Sequence, residues 1–141
     1  MIHHSVAIPA RVLAGLRRQA AAAAPAECCG ALAGLLQRGA PRIRTLIPVP
    51  NQTDEPGRYL IDAPTTLRLE RQAAWSGLDI VGFYHSHPHS PASPSGLDLE
   101  LACPGYIYVI VEPAGCVRAW RMRDDRRGFY ELHLLVLEGA A

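Results

Sequence analysis

Five apolar residues, Ile80-Val81-Gly82-Phe83-Tyr84, follow Asp79 without a turn signal and run straight into His85-Ser86-His87. An apolar run without polar alternation suits a strand buried on both faces, with other elements stacked on either side. Residues two apart in a strand share a face, so His85 and His87 present their imidazoles side by side while Tyr84 and Ser86 point the opposite way. Pro88, Pro91 and Pro94 then stiffen a loop that reverses the chain, and Asp98 falls one turn into a short helix that starts at Ser95. The carboxylate can thereby return to the imidazoles. Two His, one carboxylate and an open fourth position are the donor set of catalytic zinc, whose bound water becomes acidic enough to attack a carbonyl near neutral pH.

Each piece also has a plainer reading. A lone buried His is most often a hydrogen-bonded core residue. Ser95-Gly96-Leu97-Asp98 fits a helix-capping box as well as it fits a functional pair, and the three prolines suit a stiff loop better than a polyproline ligand. The combination is harder to dismiss. With six each of His, Ser and Asp in 141 residues, the string His-x-His-x7-Ser-x2-Asp arises by chance in roughly 4 of 10,000 such chains.

The flanking sequence supplies a mixture of helices and strands. Ser5 to Ile8 reads as a short strand, and Val12, Leu13, Leu16, Ala20 and Ala23 form one face of a helix ended by Pro25. Cys28 to Leu36 and Arg42 to Val49 form a hairpin around Gly39-Ala40-Pro41, and Arg58 to Ile61 reads as a brief strand. Pro64 opens a second helix that runs to about Ser76 and closes at Gly77. A second hairpin joins Tyr106–Val111 to Cys116–Met122 across Pro113-Ala114-Gly115. The alternation of Tyr130, Leu132, Leu134 and Val136 gives a last strand before a frayed Gly139-Ala140-Ala141 end. The expected fold class is α/β in the α+β sense, one domain spanning residues 1–141, and no repeat is evident.

Composition narrows the function classes. A formal net charge of +1 gives no electrostatic footprint for nucleic acid. The start Met1-Ile2-His3-His4-Ser5 lacks the basic and apolar regions of a secretory signal, and the Ala-rich stretch after it carries Arg11, Arg17 and Arg18, so a cytoplasmic chain without membrane attachment is expected. Cys28, Cys29, Cys103 and Cys116 do not show zinc-finger spacing and are expected to be reduced. Cys28 and Cys29 read as buried small apolar residues rather than thiol catalysts, because no base accompanies them. His3, His4, His89 and His133 read as exposed.

The string from His85 to Asp98 resembles the JAMM motif of the MPN domain metalloproteases, in which a glutamate on an early strand precedes it. That glutamate corresponds to Glu27, and the resemblance extends over Glu27-Cys28-Cys29-Gly30, Asn51, Tyr59 to Asp62, Val81 to Pro88, and Pro104-Gly105-Tyr106. It implies a single MPN-like domain, with a mixed, largely antiparallel, curved sheet flanked by helices. It also implies that His85, His87 and Asp98 bind one Zn2+ per chain, that Glu27 takes a proton from the water in the fourth position, and that Ser95 hydrogen-bonds the oxyanion. The chain looks like the compact bacterial members, which act on ubiquitin-like sulfur-carrier proteins and remove cysteine or a short peptide from a Gly-Gly C-terminus. A flexible Gly-Gly tail is expected to add as a strand along a sheet edge beside the metal. Deubiquitinase-like activity ranks lower, because the chain is too short for the insertions that grip ubiquitin. The pattern also fits a different small-peptide metallopeptidase or a non-catalytic MPN scaffold. Oligomeric state stays open, and the donor set alone also suits iron or manganese.

Overall fold

The computed structural model describes residues 4–37 and 40–138. The chain runs β1 (Ser5–Pro9), α1 (Ala10–Ala23), β2 (Cys29–Gln37), β3 (Ala40–Val49), α2 (Ala63–Trp75), β4 (Asp79–Ser86), α3 (Gly96–Leu101), β5 (Ile107–Val111), β6 (Val117–Met122) and β7 (Phe129–Leu137). Gly39 of the expected first turn, His3 and the Gly139-Ala140-Ala141 end lie outside the described residues.

Both expected hairpins are present, β2 with β3 and β5 with β6, and β7 extends the second one antiparallel to β6. The sheet is mixed: β4 pairs antiparallel with β2 and parallel with β5. β1 pairs parallel with both β3 and β7, which closes the order β1-β3-β2-β4-β5-β6-β7 into a barrel. This closure leaves the sheet without a terminal strand, but β3 beyond Arg42 keeps an edge with no strand partner among the described residues. The short β1 closes the order by running full length along β7 and touching β3 at one register pair, Ala7 with Arg42.

β4 lacks polar alternation because both of its faces are covered. Val81 and Tyr84 join Leu32, Ile43, Ile107 and Val109 in a core that α1 seals with Val12, Leu13 and Leu16. Ile80 and Phe83 join Ala31, Ala33, Tyr108 and Met122 in a second core under Leu69 and Ala73 of α2. Each large side chain buried in this way contributes about 1.5–3 kcal/mol. Asp62 caps α2 by accepting a hydrogen bond from the Thr65 amide at 2.9 Å, Pro64 lies in the first turn, and Gly77 ends the helix at φ +70°.

The brief strand expected at Arg58–Ile61 does not form. The Asn51 and Gln52 side chains and the Gln52 amide take up its backbone groups instead of a neighbouring strand. The Asn51 carboxamide accepts from Leu60 N at 3.0 Å and donates to Arg58 O at 3.0 Å, while the Gln52 amide donates to Leu60 O at 3.1 Å. The Gln52 side chain also accepts from Asp62 N at 2.6 Å. The result is a pinned loop from Asn51 to Asp62. Among the described residues no helix is long and apolar enough to cross a membrane.

β4 and β5 approach so closely at Gly82 that a Cβ there would collide with the Ile107 carbonyl oxygen. Only glycine fits that crossing. Gly82→Ala should therefore destabilise the fold by about 1–3 kcal/mol through overpacking, measured as a shift in the urea midpoint.

Candidate metal centre

β4 delivers the histidines as the alternation requires. On its far face the Tyr84 hydroxyl donates to Gln19 Oε1 at 2.7 Å, and Ser86 Oγ accepts from Cys28 N at 2.8 Å. On the near face His85 and His87 bring their Nε2 atoms to 3.1 Å of each other. The His87 amide donates to Val111 O at 2.9 Å, so the backbone stays tied to the sheet through the second histidine.

Asp98 arrives from α3. Its Oδ1 lies 3.1 Å from His85 Nε2 and its Oδ2 lies 3.1 Å from His87 Nε2. The capping box is formed as well: Ser95 Oγ accepts from Asp98 N at 3.0 Å, and Asp98 Oδ2 accepts from Ser95 N at 2.8 Å. Capping and metal-facing geometry, which compete as explanations of the sequence, are one arrangement here. The cap holds the carboxylate where it meets both imidazoles. One donor atom from each of His85, His87 and Asp98 lies within 4.8 Å of the other two, a cluster that could hold a metal ion.

The tautomer of His87 shows what this cluster lacks by itself. His87 Nδ1 lies 2.7 Å from Pro91 O, and a carbonyl oxygen only accepts, so Nδ1 carries the proton. In the neutral ring Nε2 then exposes a lone pair, directed at a carboxylate and a second imidazole. Such a group of donors requires a proton or a cation between them. Burial would lower the affinity of His87 for a proton, yet hydrogen bonding to Asp98 and to Pro91 O more than offsets it and raises its pKa. Burial would likewise raise Asp98, but its bonds to His85 and His87 hold the carboxyl well below the usual range. Burial pushes fully enclosed His85 down despite Asp98. Two imidazole nitrogens and a carboxylate that meet at one point fit a divalent transition metal.

Glu27 and Ser95 line the same cleft of about 400 Å³ as His87, between the Asn51–Arg58 loop and His87–Ser90. Glu27 precedes β2 rather than lying on it, and Ser86 Oγ fixes the next amide, Cys28 N, at 2.8 Å. Half-burial pushes the Glu27 carboxyl up, His87 pulls it back down, and the Asp98 charge raises it again. Ser95 is exposed, its oxygen is taken by the Asp98 amide, and its hydroxyl proton has no acceptor among the described residues.

Two neighbours were not singled out from sequence. Tyr59 stacks on His85 at 4.3 Å between ring centroids and covers its outer face. Ser86, the residue between the two histidines, anchors the chain beside Glu27; alternation signalled that it faces away, not what it would meet. Cys29 is buried and held neutral, with its thiol pushed up to about 12 by burial, and burial raises Cys28 too. All four cysteines are unpaired thiols. His89, His4 and His133 are exposed, as expected.

The family described as prokaryotic homologs of the JAB domain matches residues 9–123. The chain is 40% identical over 136 residues to a desampylase of Haloferax volcanii, covering 94% of this chain and 95% of that one. It is 32% identical to a probable TtuB-protein conjugate cleaving protease of Thermus thermophilus, over 92% of this chain and 82% of that one. A CysO-cysteine peptidase of Mycobacterium tuberculosis is 36% identical over 62% of this chain and 59% of its own length. Among solved structures, a Desulfitobacterium hafniense protein superposes with a TM-score of 0.85 at 24% identity, over 95% of this chain and 94% of that one. A JAB1/MPN domain protein of Archaeoglobus fulgidus superposes with a TM-score of 0.60 at 21% identity, over 95% and 99%.

Metal and proton compete for the same lone pair on His87, whose pKa is raised. Below that pKa the ring is protonated, so metal binding should be favoured as pH rises and lost as pH falls. Equilibrium dialysis with cobalt(II) between pH 7.5 and 5 should show affinity dropping about tenfold per pH unit for each proton that metal displaces.

Proposed function

The chain belongs to the prokaryotic homologs of the JAB domain, and on that premise we propose that it is a zinc metallopeptidase cleaving the amide bond after the Gly-Gly C-terminus of a ubiquitin-like sulfur-carrier protein. It is a hydrolase acting on peptide or isopeptide bonds. The names of the relatives support the substrate class, since one specifies a TtuB-protein conjugate and another CysO joined to cysteine. Release of cysteine or a short peptide is the reaction that fits them, and we place it in the cytoplasm. The observation that carries this reading is the convergence of His85, His87 and Asp98 at one point, with Glu27 and Ser95 lining the cleft that His87 also lines.

In this reading residues 1–141 act as one catalytic domain. His85, His87 and Asp98 hold the zinc, which supplies Lewis acidity toward a carbonyl oxygen and toward water when bound. Glu27 accepts the proton of the attacking water and returns it to the leaving amine. Its half-buried setting, with a raised pKa, brings it closer to neutrality than an exposed carboxylate and suits both directions of transfer. Ser95 donates its free hydroxyl proton to the oxygen that gains charge as the carbonyl is attacked. Asp98 stays ionised throughout, because two imidazoles hold its carboxyl low. The Gly-Gly tail lies in the cleft between the Asn51–Arg58 loop and Pro88-His89, where its small residues let the scissile carbonyl reach Ser95.

Mass spectrometry of purified protein under native conditions should find about one zinc per chain, lost in Asp98→Ala. A carrier fusion ending in Gly-Gly-Cys should be trimmed at Gly, and Glu27→Gln should keep the zinc while slowing that cleavage by roughly 10²–10⁴. Wild-type protein without metal after dialysis against zinc, iron and manganese would sink the hydrolase mechanism and leave a scaffold.

A further inference from the structure

The loop between His87 and α3 is mostly exposed, at His89, Ser90, Pro91 and Ser95, yet Ala92 in its middle is fully buried. Both main-chain groups of Ala92 are tied to residues outside the motif. Its amide donates to Glu112 Oε2 at 3.0 Å, and its carbonyl accepts from the Trp120 indole Nε1 at 2.9 Å. The Ala92 amide and the Pro91 carbonyl belong to a single peptide unit, which is planar and stiff. That same carbonyl accepts from His87 Nδ1 at 2.7 Å. The Glu112 carboxylate and His87 are therefore joined in series, with one peptide unit between them.

We propose that Glu112 and Trp120 are positioning residues for the metal centre, with Glu112 serving as the carboxylate partner of His87 through the Pro91–Ala92 peptide and Trp120 holding that peptide in place. Metal-binding histidines commonly donate their second ring nitrogen to a carboxylate or a carbonyl, which fixes the tautomer and makes the ligand nitrogen a better donor. Here the carbonyl does this directly, and the carboxylate polarises the carbonyl from behind, as hydrogen bonds in a chain strengthen one another. Both anchors are themselves fixed. Glu112 is held in the β5–β6 turn by its amide bond to Cys116 O at 2.8 Å and by Gly115 N donating to its carbonyl at 2.9 Å. The Arg118 guanidinium lies 4.8 Å from the Trp120 ring centroid and makes two 2.8 Å bonds to Glu131 on β7. A rigid path thus runs from β7 and the β5–β6 hairpin to the histidine that follows β4. The same Ala92 anchor sets where Ser95 and Asp98 begin, because only Ser93 and Pro94 intervene.

This inference rests on the metal-centre reading, and the experiment separates the two. Dissociation constants for zinc would be measured by chelator competition on the full chain, without substrate, for wild type, Glu112→Gln, Glu112→Ala and Trp120→Phe. Leu16→Ala would serve as a destabilised control in the distant core. Glu112→Ala and Trp120→Phe should weaken zinc about 10–100-fold, and Glu112→Gln, which keeps an acceptor but no charge, should fall between them and wild type. The cobalt(II) absorption spectrum should change in the same variants, and Leu16→Ala should bind zinc normally. Should Glu112→Ala fail to fold by circular dichroism, Glu112→Gln carries the test alone. Wild-type affinity and spectrum in the folded variants, or an equal loss in Leu16→Ala, would overturn the proposal. A wild type that binds no zinc would overturn the metal reading itself.

Discussion

Two imidazoles and the carboxylate that both of them face are held at one point. The Nε2 atoms of His85 and His87 face each other at 3.1 Å, and both face the Asp98 carboxylate. Removing such groups from water costs free energy unless each finds a partner. The fold must therefore hold them from outside, and much of its local design does so. β4 is locked between β2 and β5 and covered on both faces. The α3 cap turns the carboxylate inward. The Pro91 carbonyl fixes the proton of His87 on the nitrogen away from the centre. Under the proposed function a metal would meet donors that the fold has already brought together, which would couple folding and metal affinity in one equilibrium.

His85 also shows what this arrangement costs. It is fully enclosed, and its Nδ1 has no partner among the described residues. An unsatisfied buried group of that kind costs about 1–3 kcal/mol. Tyr59 stacks on the same ring, with centroids 4.3 Å apart. The same enclosure strengthens the interaction of His85 with Asp98, since charges interact more strongly away from water.

What could be read from the sequence follows the range of each interaction. The period of two placed His85 and His87 on one face and Ser86 on the other, because a strand's geometry is local. Ser95 and Asp98 were legible as a pair because the two members of a capping box lie only three positions apart. Closure of the sheet was not legible, since the pairing of β1 with β7 links residues more than 120 positions apart and leaves no local pattern. Arg58–Ile61 has strand-like composition, and only the side chains of Asn51 and Gln52 make it a loop. Glu112 and Trp120 lie beyond the motif in ordinary hairpin positions, so nothing in their spacing marks them. The family resemblance supplied Glu27; its position before β2 and its burial came only with the folded chain.

Closure also decides how an extended substrate can be held. An open sheet offers a row of unpaired amides and carbonyls, and a peptide gains affinity there without regard to its side chains. Along β4 those groups are taken by β2 on one side and β5 on the other, and in the Asn51–Asp62 loop the Arg58 and Leu60 backbone groups are already bonded to Asn51 and Gln52. Under the proposed function, affinity for a tail beside β4 would then come from cleft shape and from contacts with the carrier's folded body. The cleft is lined in part by Pro25, Pro56 and Pro88, whose fixed φ limits how far those walls can adapt. Under the proposed function two consecutive glycines would suit such walls, because they lack the Cβ that would meet them.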